Sequence, residues 1–500
     1  MLKTDKLTIY THKGRKLLDS FTFVLNEGDK VALIGEEGNG KSSLLKIMAG
    51  IDVSSYLNYT GKVYADSLVA YLPQHLSEED LNQDIMSYLG EEINYSNLYD
   101  LIDELSIGFD VYDHKPISDY SGGERVKIAL LKTLISKPDI LLMDEPSNDL
   151  DLKSLIWLEE FIKNSDMGII FISHDETLLK NCAEAILHLE QLKRKSEAHI
   201  TYAGVGYEEY VSKRNLFIER NNMIASKQKS ELNKQLEKWR RVYQKVDNDQ
   251  RKISRGDPHG AAMLKKKMHA VKSQQKNLER KKEDMLEKYE PEEAIDIFFE
   301  PLRVNPGKVI IDLYLDELKN SGKVLSKDIR LYVQGKDKIC IIGENGKGKS
   351  TLIRVICEQL KDRDDLSVGY MPQNYDEVMD FDLSPVEFLW DGKDIAQRAK
   401  VQSHLGALRF TTEEMEHKIA DLSEGQKCKI LLLKLILDKN EVLILDEPTR
   451  NLSPLSGPLI RKILNDYDGC IIAVSHDRMF IDEVCNRVLE LDEKGLKELL

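Results

Sequence analysis

Two stretches of this chain decide its fold, and they are near copies of each other: Gly35-Glu36-Glu37-Gly38-Asn39-Gly40-Lys41-Ser42-Ser43 and Gly343-Glu344-Asn345-Gly346-Lys347-Gly348-Lys349-Ser350-Thr351. Each follows a short apolar run, at 31–34 and 339–342, that is typical of a buried strand. In such a loop the glycines let backbone N–H groups approach an anion closely, the lysine adds a positive charge, and the serine can coordinate Mg²⁺. The sequence therefore predicts two phosphate-binding loops that hold ATP or GTP.

The same short motifs follow both loops in the same order, which makes the chain an internal duplication. The matching pairs are Leu72-Pro73-Gln74 with Met371-Pro372-Gln373, Tyr120-Ser121-Gly122-Gly123-Glu124 with Leu422-Ser423-Glu424-Gly425-Gln426, Leu142-Met143-Asp144-Glu145-Pro146 with Ile444-Leu445-Asp446-Glu447-Pro448, and Ser173-His174-Asp175 with Ser475-His476-Asp477. The spacing between the last three motifs is identical in the two halves. We expect two equivalent α/β domains, at 1–205 and 296–500.

The Asp-Glu pairs are the candidate catalytic centres. Each ends an apolar run, so a buried strand should deliver both carboxylates to the phosphates. Asp144 and Asp446 are predicted to hold Mg²⁺ together with Ser42 and Ser350, while Glu145 and Glu447 orient or deprotonate the attacking water. His174 and His476 could contact the γ-phosphate. A lone histidine in this position is more often structural, and its repetition favours the functional interpretation.

Residues 206–295 differ in character from both halves. Apolar side chains recur at alternating steps of four and three, which predicts the seam of a helical hairpin: Leu232, Leu236, Trp239, Tyr243, Val246, Leu264, Met268, Val271, Leu278, Met285 and Tyr289. Gly and Pro place the turn near 255–260. Residues 211–290 carry 22 Lys and Arg against 11 Asp and Glu, a net charge of +11, whereas the whole chain carries −15. A basic linker therefore joins two acidic halves.

Composition sets the remaining limits. Five hundred residues exceed one hydrophobic core, and 41% hydrophobic with 31% charged residues describes a globular protein. No run of about 18 apolar residues occurs, so no membrane segment is expected. The start of the chain lacks the apolar core of a signal peptide, which favours a cytoplasmic location. The six cysteines are scattered singly and are expected to be reduced.

The ordered set of phosphate loop, glutamine, Ser-Gly-Gly sequence, Asp-Glu pair and histidine resembles the ABC ATPase domain. The resemblance implies ATP as the nucleotide, with Gln74 and Gln373 near the Mg²⁺. It also implies a head-to-tail arrangement, in which Lys41 works with Ser423, Glu424, Gly425 and Gln426, and Lys349 with Ser121, Gly122, Gly123 and Glu124. Such pairing within one chain predicts a monomer. Tyr10 is a candidate for stacking on the adenine of the first site.

Two such domains joined by a basic helical hairpin resemble the ABC-F subfamily. That resemblance implies a bacterial ribosome as partner, with the ATP-bound form at the tRNA exit site and the linker near the P-site tRNA and the peptidyl-transferase centre. The segment Arg450-Asn451-Leu452-Ser453-Pro454, with the long hairpin, resembles the Vga/Lsa-type antibiotic-resistance branch. This branch protects ribosomes from lincosamides, pleuromutilins and group A streptogramins.

The second half departs from the usual pattern at Glu424, where a carboxylate replaces glycine. Like charges would repel there, so the Lys41 site is predicted to hydrolyse ATP more slowly than the Lys349 site. Two further functions stay open: a housekeeping translation factor of the same subfamily, and the ATPase subunit of a transporter.

The basic residues of the hairpin also allow two interpretations. They suit phosphate contacts with rRNA or tRNA, or they form the solvated face of a coiled coil. The candidates for RNA contact are Arg251, Lys252, Arg255, Asp257, Pro258, His259, Lys265, Lys266 and Lys267. The acidic balance of the rest of the chain favours RNA.

Overall fold

The computed structural model describes residues 1–90, 95–148, 150–192, 197–252, 258–283, 285–289, 291, 304–320, 322–390, 392 and 394–499. The chain forms two compact units, Met1–Tyr207 with Glu292–Leu500, and Glu208–Pro291. The first unit contains both ATPase-like halves. We refer to residues 1–206 as the first half and to residues 304–499 as the second half.

In the first half, a six-stranded sheet carries the phosphate loop. Its strand order is β5-β6-β7-β3-β8-β9, with all neighbours parallel except β8 and β9. A three-stranded antiparallel sheet, β2-β1-β4, packs against this six-stranded sheet, and the two share one apolar core. The strands are β1 Leu2–Thr11, β2 Lys16–Leu25, β3 Lys30–Ile34, β4 Leu57–Ala65, β5 Val69–Leu72, β6 Ile140–Met143, β7 Gly168–Ile172, β8 Ala185–Gln191 and β9 Glu197–Ala203. The helices are α1 Lys41–Met48, α2 Glu78–Leu81, α3 Ile85–Leu89, α4 Tyr95–Glu104, α5 Gly122–Leu134, α6 Leu152–Asn164 and α7 Glu176–Cys182.

The second half repeats this order. Its six-stranded sheet runs β13-β14-β15-β12-β16-β17, again parallel except for the last pair, beside the antiparallel pair β10-β11. The strands are β10 Val309–Asn320, β11 Lys323–Gln334, β12 Lys338–Ile342, β13 Val368–Met371, β14 Val442–Asp446, β15 Cys470–Val474, β16 Arg487–Asp492 and β17 Gly495–Glu498. The helices are α10 Lys349–Lys361, α11 Pro385–Leu389, α12 Ile395–Ala407, α13 Thr412–Glu416, α14 Glu424–Leu437, α15 Gly457–Asn465 and α16 Arg478–Val484. Short 3₁₀ turns lie at Ile117–Asp119, Tyr375–Glu377 and Ile419–Asp421.

The parallel strands explain why the motifs meet. Strands β3, β6 and β7 are adjacent and fully buried, and the phosphate loop, the Asp-Glu pair and the histidine each follow one of them. Because carboxyl ends of parallel strands share one edge, the sheet collects these groups at a single site. The same holds for β12, β14 and β15 in the second half. The α/β fold class is confirmed.

Between the halves, the predicted helices are present as α8 (Tyr207–Lys252) and α9 (Pro258–Glu283). Four seam residues, Leu232, Val246, Val271 and Leu278, are buried, and Trp239 donates its indole N–H to the Val271 carbonyl at 2.8 Å. The 46 residues of α8 span about 69 Å at the usual helical rise. In the described part of the chain, no helix is both long and apolar enough to cross a membrane.

The structure refines the position of the turn. Pro258, His259 and Gly260, which were assigned to the turn, begin α9 instead. Proline is tolerated there because the first helical turn has no intrahelical partner for its missing N–H. Residues 253–257, which include the RNA-contact candidates Arg255 and Asp257, lie outside the described residues.

Candidate active sites

Both phosphate loops have the backbone shape of an anion cradle. Gly35, Gly38 and Gly40 have φ values of 145°, 76° and 91°, and their counterparts Gly343, Gly346 and Gly348 have 149°, 78° and 98°. A Cβ at Gly35 would come within 2.2 Å of the Leu189 carbonyl oxygen, so only glycine fits. Each loop leads into a helix, α1 or α10, whose N-terminus faces the cradle.

The loop lysines are buried and folded back onto their own loops. Lys41 Nζ donates to the carbonyls of Gly35 at 2.9 Å and Glu36 at 3.1 Å. Lys349 Nζ donates to Gly343 at 2.8 Å and Glu344 at 3.1 Å, and burial lowers its pKa. A bound phosphate would therefore exchange carbonyl contacts of these lysines for an ionic one.

We call the cavity around Lys41 the first site. Its volume is about 710 Å³, and its lining includes Glu37, Gly38, Gly40, Lys41, Ser42, Ser43, Gln74, Glu145, His174 and Glu424. Glu424 belongs to the opposite half, so this site contains the head-to-tail contact that the ABC resemblance implies. Leu17, Tyr56 and Leu57 line it as well, whereas Tyr10 is not among its lining residues.

The second site is the cavity around Lys349, with a volume of about 590 Å³. Its own half contributes Asn345, Gly346, Gly348, Lys349, Ser350, Thr351, Gln373, Asp446, Glu447 and His476, and the first half contributes Gly122 and Arg125. Gly122 is the first residue of α5 and follows Ser121, whose hydroxyl caps the helix by accepting from the Glu124 N–H. Each cavity thus brings together one phosphate loop and the helix N-terminus of the other half.

Several predicted site residues support the cavities without lining them. Asn39 is buried and donates to the Leu189 carbonyl, and Lys347 pairs with Glu493 at 2.8 Å. Ser423 caps α14 by accepting from the Gln426 N–H. Gly123 packs against Ser154 in the first turn of α6, and Gly425 packs against the carbonyl of Asn451; a Cβ at either glycine would clash there.

In the first site, the Asp-Glu pair is fully engaged. Ser42 Oγ donates to Asp144 Oδ1 at 2.9 Å, and the Tyr71 hydroxyl donates to Asp144 Oδ2 at 2.8 Å. The side-chain amide of Gln74 donates to Glu145 Oε2 at 2.8 Å. Burial raises the pKa of Glu145, but His174 and Lys41 stabilise its carboxylate more strongly and bring the pKa to about 2.

His174 joins the two halves at this point. Its Nε2 lies 3.1 Å from Glu145 Oε1, and its Nδ1 lies 2.5 Å from the carbonyl oxygen of Leu452 in the second half. His174 therefore contacts the Glu145 carboxylate of its own half and the backbone of the other half at the same time.

The second site has the same residues in a different electrostatic state. Burial and the neighbouring Asp446 raise the pKa of Glu447 to about 8. Burial lowers the pKa of His476 to about 4, and neither ring nitrogen has a hydrogen-bond partner among the described residues. Its Nε2 lies 3.9 Å from Glu447 Oε1. The two sites of the chain are therefore chemically unequal.

Both glutamates share an unusual backbone. The φ angles of Glu145 and Glu447 are 49° and 54°, in the left-handed region that a residue with a Cβ rarely adopts. Such strain costs on the order of 1–3 kcal/mol and is found mostly at functional positions. Its presence at matching positions in both halves supports the catalytic role predicted for these residues.

The two acidic residues of the first loop contact the second half directly. Glu36 accepts from Lys429 Nζ at 2.9 Å, Ser456 Oγ at 2.7 Å and Ser453 Oγ at 2.5 Å. Burial raises the pKa of Glu36, but these partners lower it to about 2. The equivalent Glu344 instead pairs with Lys153, whose side chain is 80% exposed.

The neighbouring Glu37 occupies an anion position. Its Oε2 accepts the backbone N–H of Gly425 at 2.5 Å, in the first turn of α14. Since a helix N-terminus attracts anions, a nucleotide phosphate that approaches α14 competes with this carboxylate. The sequence did not identify Glu37 as a contact between halves, nor did it indicate the roles of Lys429, Ser453, Ser456 and Tyr71.

Glu424, by contrast, is less disruptive than its charge suggests. Its Oε1 accepts from Lys427 Nζ at 2.7 Å, and the glutamate side chain is 49% exposed. This pairing offsets part of the repulsion that the sequence predicts toward a bound nucleotide.

The RNA-contact candidates that the structure describes are solvent-exposed. Lys252, His259, Lys265, Lys266 and Lys267 are all exposed, and Arg251 pairs with Asp247 at 2.9 Å while remaining 77% exposed. Trp239 and Tyr243 stack on each other in the seam at 5.2 Å, so they serve packing rather than base stacking.

A family model described as ABC transporter matches residues 18–148 and 326–450, which together make up just over half of the chain. The chain belongs to the ABC transporter family. Over its full length it resembles F-subfamily members: it is 26% identical to ABC transporter F family member 5 of Arabidopsis thaliana, over 98% of this chain and 74% of that protein. It is 29% identical to the ATP-binding protein Uup of Escherichia coli (strain K12), over 93% and 76%. These likenesses support an assignment to the ABC-F subfamily.

Among solved structures, the archaeal ribosome recycling factor aABCE1, in complex with the ribosomal stalk protein aP1, matches with a TM-score of 0.60. The match covers 98% of this chain and 90% of that chain at 16% identity, so it concerns the fold.

As an ABC ATPase, the chain uses ATP and Mg²⁺, and its residues fit that ion. Asp446 Oδ1 is buried without a hydrogen-bond partner among the described residues, and burial raises the pKa of Asp446. Ser42 with Asp144 presents the hard oxygen ligands that Mg²⁺ prefers. No group of three His, Cys, Asp or Glu side chains in the described segments could hold a metal alone.

Proposed function

We propose that this chain is a ribosome-binding ATPase whose two halves close on two ATP molecules, and that closure governs attachment to the ribosome. The observation that carries the proposal is the composition of the two cavities. Each contains a phosphate loop from one half and the first residue of helix α5 or α14 from the other half. Nucleotide bound in either cavity contacts both halves, so binding energy is available to change how they pack.

Hydrolysis follows from the residues at the sheet edge. When bound, Mg²⁺ neutralises the charge that builds on the phosphate oxygens. Glu145 and Glu447 are placed to accept a proton from the attacking water, and their strained backbones hold the carboxylates toward the cavities. His174 Nε2 lies 3.1 Å from the Glu145 carboxylate, whereas Glu447 accepts the backbone N–H of His476 at 3.3 Å and the His476 ring lies 3.9 Å away.

The hairpin is the proposed RNA-binding element. Its exposed basic side chains at 265–267 form a contiguous positive segment near the start of α9. Phosphate contacts release counterions, so affinity for rRNA should fall with salt with a log–log slope of roughly −4 to −5 if about six phosphates are contacted. The names of the matched recycling factor and its stalk-protein partner are consistent with a ribosomal role.

Within this function, we propose protection of the bacterial ribosome from lincosamides, pleuromutilins and group A streptogramins, with the hairpin reaching toward the drug site near the tRNA exit and P sites. The support is the Arg450-Asn451-Leu452-Ser453-Pro454 sequence and its contacts: Ser453 binds Glu36, and the Pro454 carbonyl accepts from the Tyr207 hydroxyl at 2.9 Å. A housekeeping translation factor is the second candidate, because the names of the full-length relatives refer to ATP binding and not to drugs.

In vitro translation separates the two candidates. Purified protein with ATP should restore translation that lincomycin or tiamulin has inhibited, and the Lys41→Ala, Lys349→Ala double variant should not. Restoration by wild type supports drug protection. If translation stays inhibited although the protein co-migrates with ribosomes in the cytoplasmic extract, the housekeeping function is favoured.

A further inference from the structure

Two crossed ion pairs join the halves outside the lining of the nucleotide cavities. Arg461 on α15 binds Glu176 at the start of α7 through both carboxylate oxygens, at 2.5 and 3.2 Å. Arg478 at the start of α16 binds Glu159 on α6 at 2.5 Å and also contacts Asp175 of the first half at 3.2 Å. None of these four residues lines either cavity.

The internal repeat relates the two pairs to each other. An offset of 302 residues connects Asp144 with Asp446, and the same offset connects Glu159 with Arg461 and Glu176 with Arg478. Exchanging the halves therefore converts one ion pair into the other. The first half carries a carboxylate at both positions, and the second half carries a guanidinium at both.

The residues are also held in place within their own halves at equivalent positions. Glu483 accepts from Arg461 Nε at 2.8 Å, and Asn181, which is 302 residues earlier, donates to Glu159 at 2.8 Å. Arg461 and Glu159 are 2% and 9% exposed, and Glu176 and Arg478 are 13% and 22% exposed. All four side chains are largely shielded from solvent and are held by hydrogen bonds.

The space for one pair depends on a glycine. A Cβ at Gly457 would come within 2.5 Å of Glu176 Oε1 and 3.0 Å of Arg461 Nη1. The equivalent residue of the first half is the buried Leu155. The second half therefore has no side chain at position 457, where the Glu176 carboxylate packs.

We propose that Glu159, Glu176, Arg461 and Arg478 form a pairing surface that favours unlike halves. Two first halves would place four carboxylates against each other, and two second halves would oppose four guanidinium groups. Because like charges in a shielded contact repel, and Glu483 offsets only part of the charge of Arg461, both combinations are disfavoured. The partner that fits this surface is the other half of the same chain.

Charge exchange in the full-length protein tests the proposal. One variant carries Glu159→Arg with Glu176→Arg, and a second carries Arg461→Glu with Arg478→Glu. Each should lose ATP hydrolysis by on the order of a hundredfold, the effect expected when buried charges lose their partners. The fourfold exchange, which combines all these substitutions, should recover part of the activity. Recovery is incomplete because the carboxylate introduced at position 461 lies beside Glu483 and the one at position 478 lies beside Asp175.

Mixing the two double variants supplies a second readout. The first half of one variant then matches the second half of the other, so an equimolar mixture should form a dimer of twice 57.3 kDa and regain hydrolysis. A fourfold variant that is no more active than the double variants would overturn the proposal. So would double variants that keep wild-type activity.

Discussion

Replacing Glu36 by glutamine measures how strongly one buried carboxylate joins the halves at the first site. Glu36 is 14% exposed and receives hydrogen bonds from Lys429, Ser453 and Ser456, all in the second half. The substitution keeps the shape of the side chain but removes its charge. Lys429, which is 6% exposed, then loses its ion pair with Glu36.

The size of the effect follows from the pKa of Glu36. A decrease from 4.5 to about 2 corresponds to about 3 kcal/mol of stabilisation at neutral pH. Because the folded pKa is lowered, this stabilisation is complete above pH 4.5 and is lost as the pH falls toward 2. At pH 4 the stabilisation should already be smaller than at neutral pH.

Hydrogen exchange of the backbone amides at 450–460, without nucleotide, is a suitable assay. A loss of about 3 kcal/mol in the local opening free energy should accelerate exchange roughly 150-fold. Glu344→Gln is the matched control. Glu344 is 49% exposed and pairs with Lys153, which is 80% exposed, and with Lys347 at 4.0 Å, so its substitution should change exchange less than about fivefold. Equal exchange in the two variants would refute this account of the interface.

Three further predictions concern the unequal sites and the hairpin. In single-turnover hydrolysis, Lys349→Ala should remove most of the activity and Lys41→Ala less, because Glu37 and Glu424 oppose nucleotide in the first site; equal losses would contradict this. Thermal unfolding at pH 7.5 without nucleotide should show opposite effects of two substitutions. Glu447→Gln should raise the midpoint, because a folded pKa of about 8 means that this glutamate lowers stability as the pH rises from 4.5 to 8. Glu145→Gln should lower the midpoint, because a folded pKa of about 2 means that this glutamate stabilises the fold at neutral pH and loses that effect only in acid. Changes of the same sign would argue against the two electrostatic states. Changing Lys265, Lys266 and Lys267 to glutamine should reduce the salt slope of rRNA binding by about 2 to 3, and an unchanged slope would exclude phosphate contacts at these positions.

The sequence predicted the features that depend on periodicity and order. Apolar runs followed by glycine-rich loops are local signals, so both sheets and both phosphate loops could be located without coordinates. The seam of the hairpin was equally readable, because Leu232 and Val246 recur at helical spacing and are buried as expected. The start of α9 at Pro258 was missed because a proline closely followed by glycine is typical both of a turn and of the beginning of a helix.

Contacts between the halves could not be predicted in the same way. Glu36 and Ser453 are 417 residues apart, and their hydrogen bond depends on how two domains face each other. The opposite pKa shifts of Glu145 and Glu447 could not be predicted either, because they depend on burial and on neighbours in the folded half: His174 and Lys41 lower the pKa of Glu145, whereas burial and Asp446 raise that of Glu447. One signal was available: the 302-residue offset places Glu159 and Glu176 opposite Arg461 and Arg478, a reversal of charge that the aligned repeat reveals.

Co-sedimentation of the Glu145→Gln, Glu447→Gln double variant with 70S ribosomes tests the proposed biology most directly. With both bases removed, ATP should hold the halves closed, and the protein should co-migrate with ribosomes in ATP and be released in ADP. Wild-type protein, which hydrolyses its ATP, should co-migrate only weakly. Absence of the double variant from the ribosomal fraction in ATP, with nucleotide binding intact, would contradict ribosome attachment and leave only the ATPase assignment.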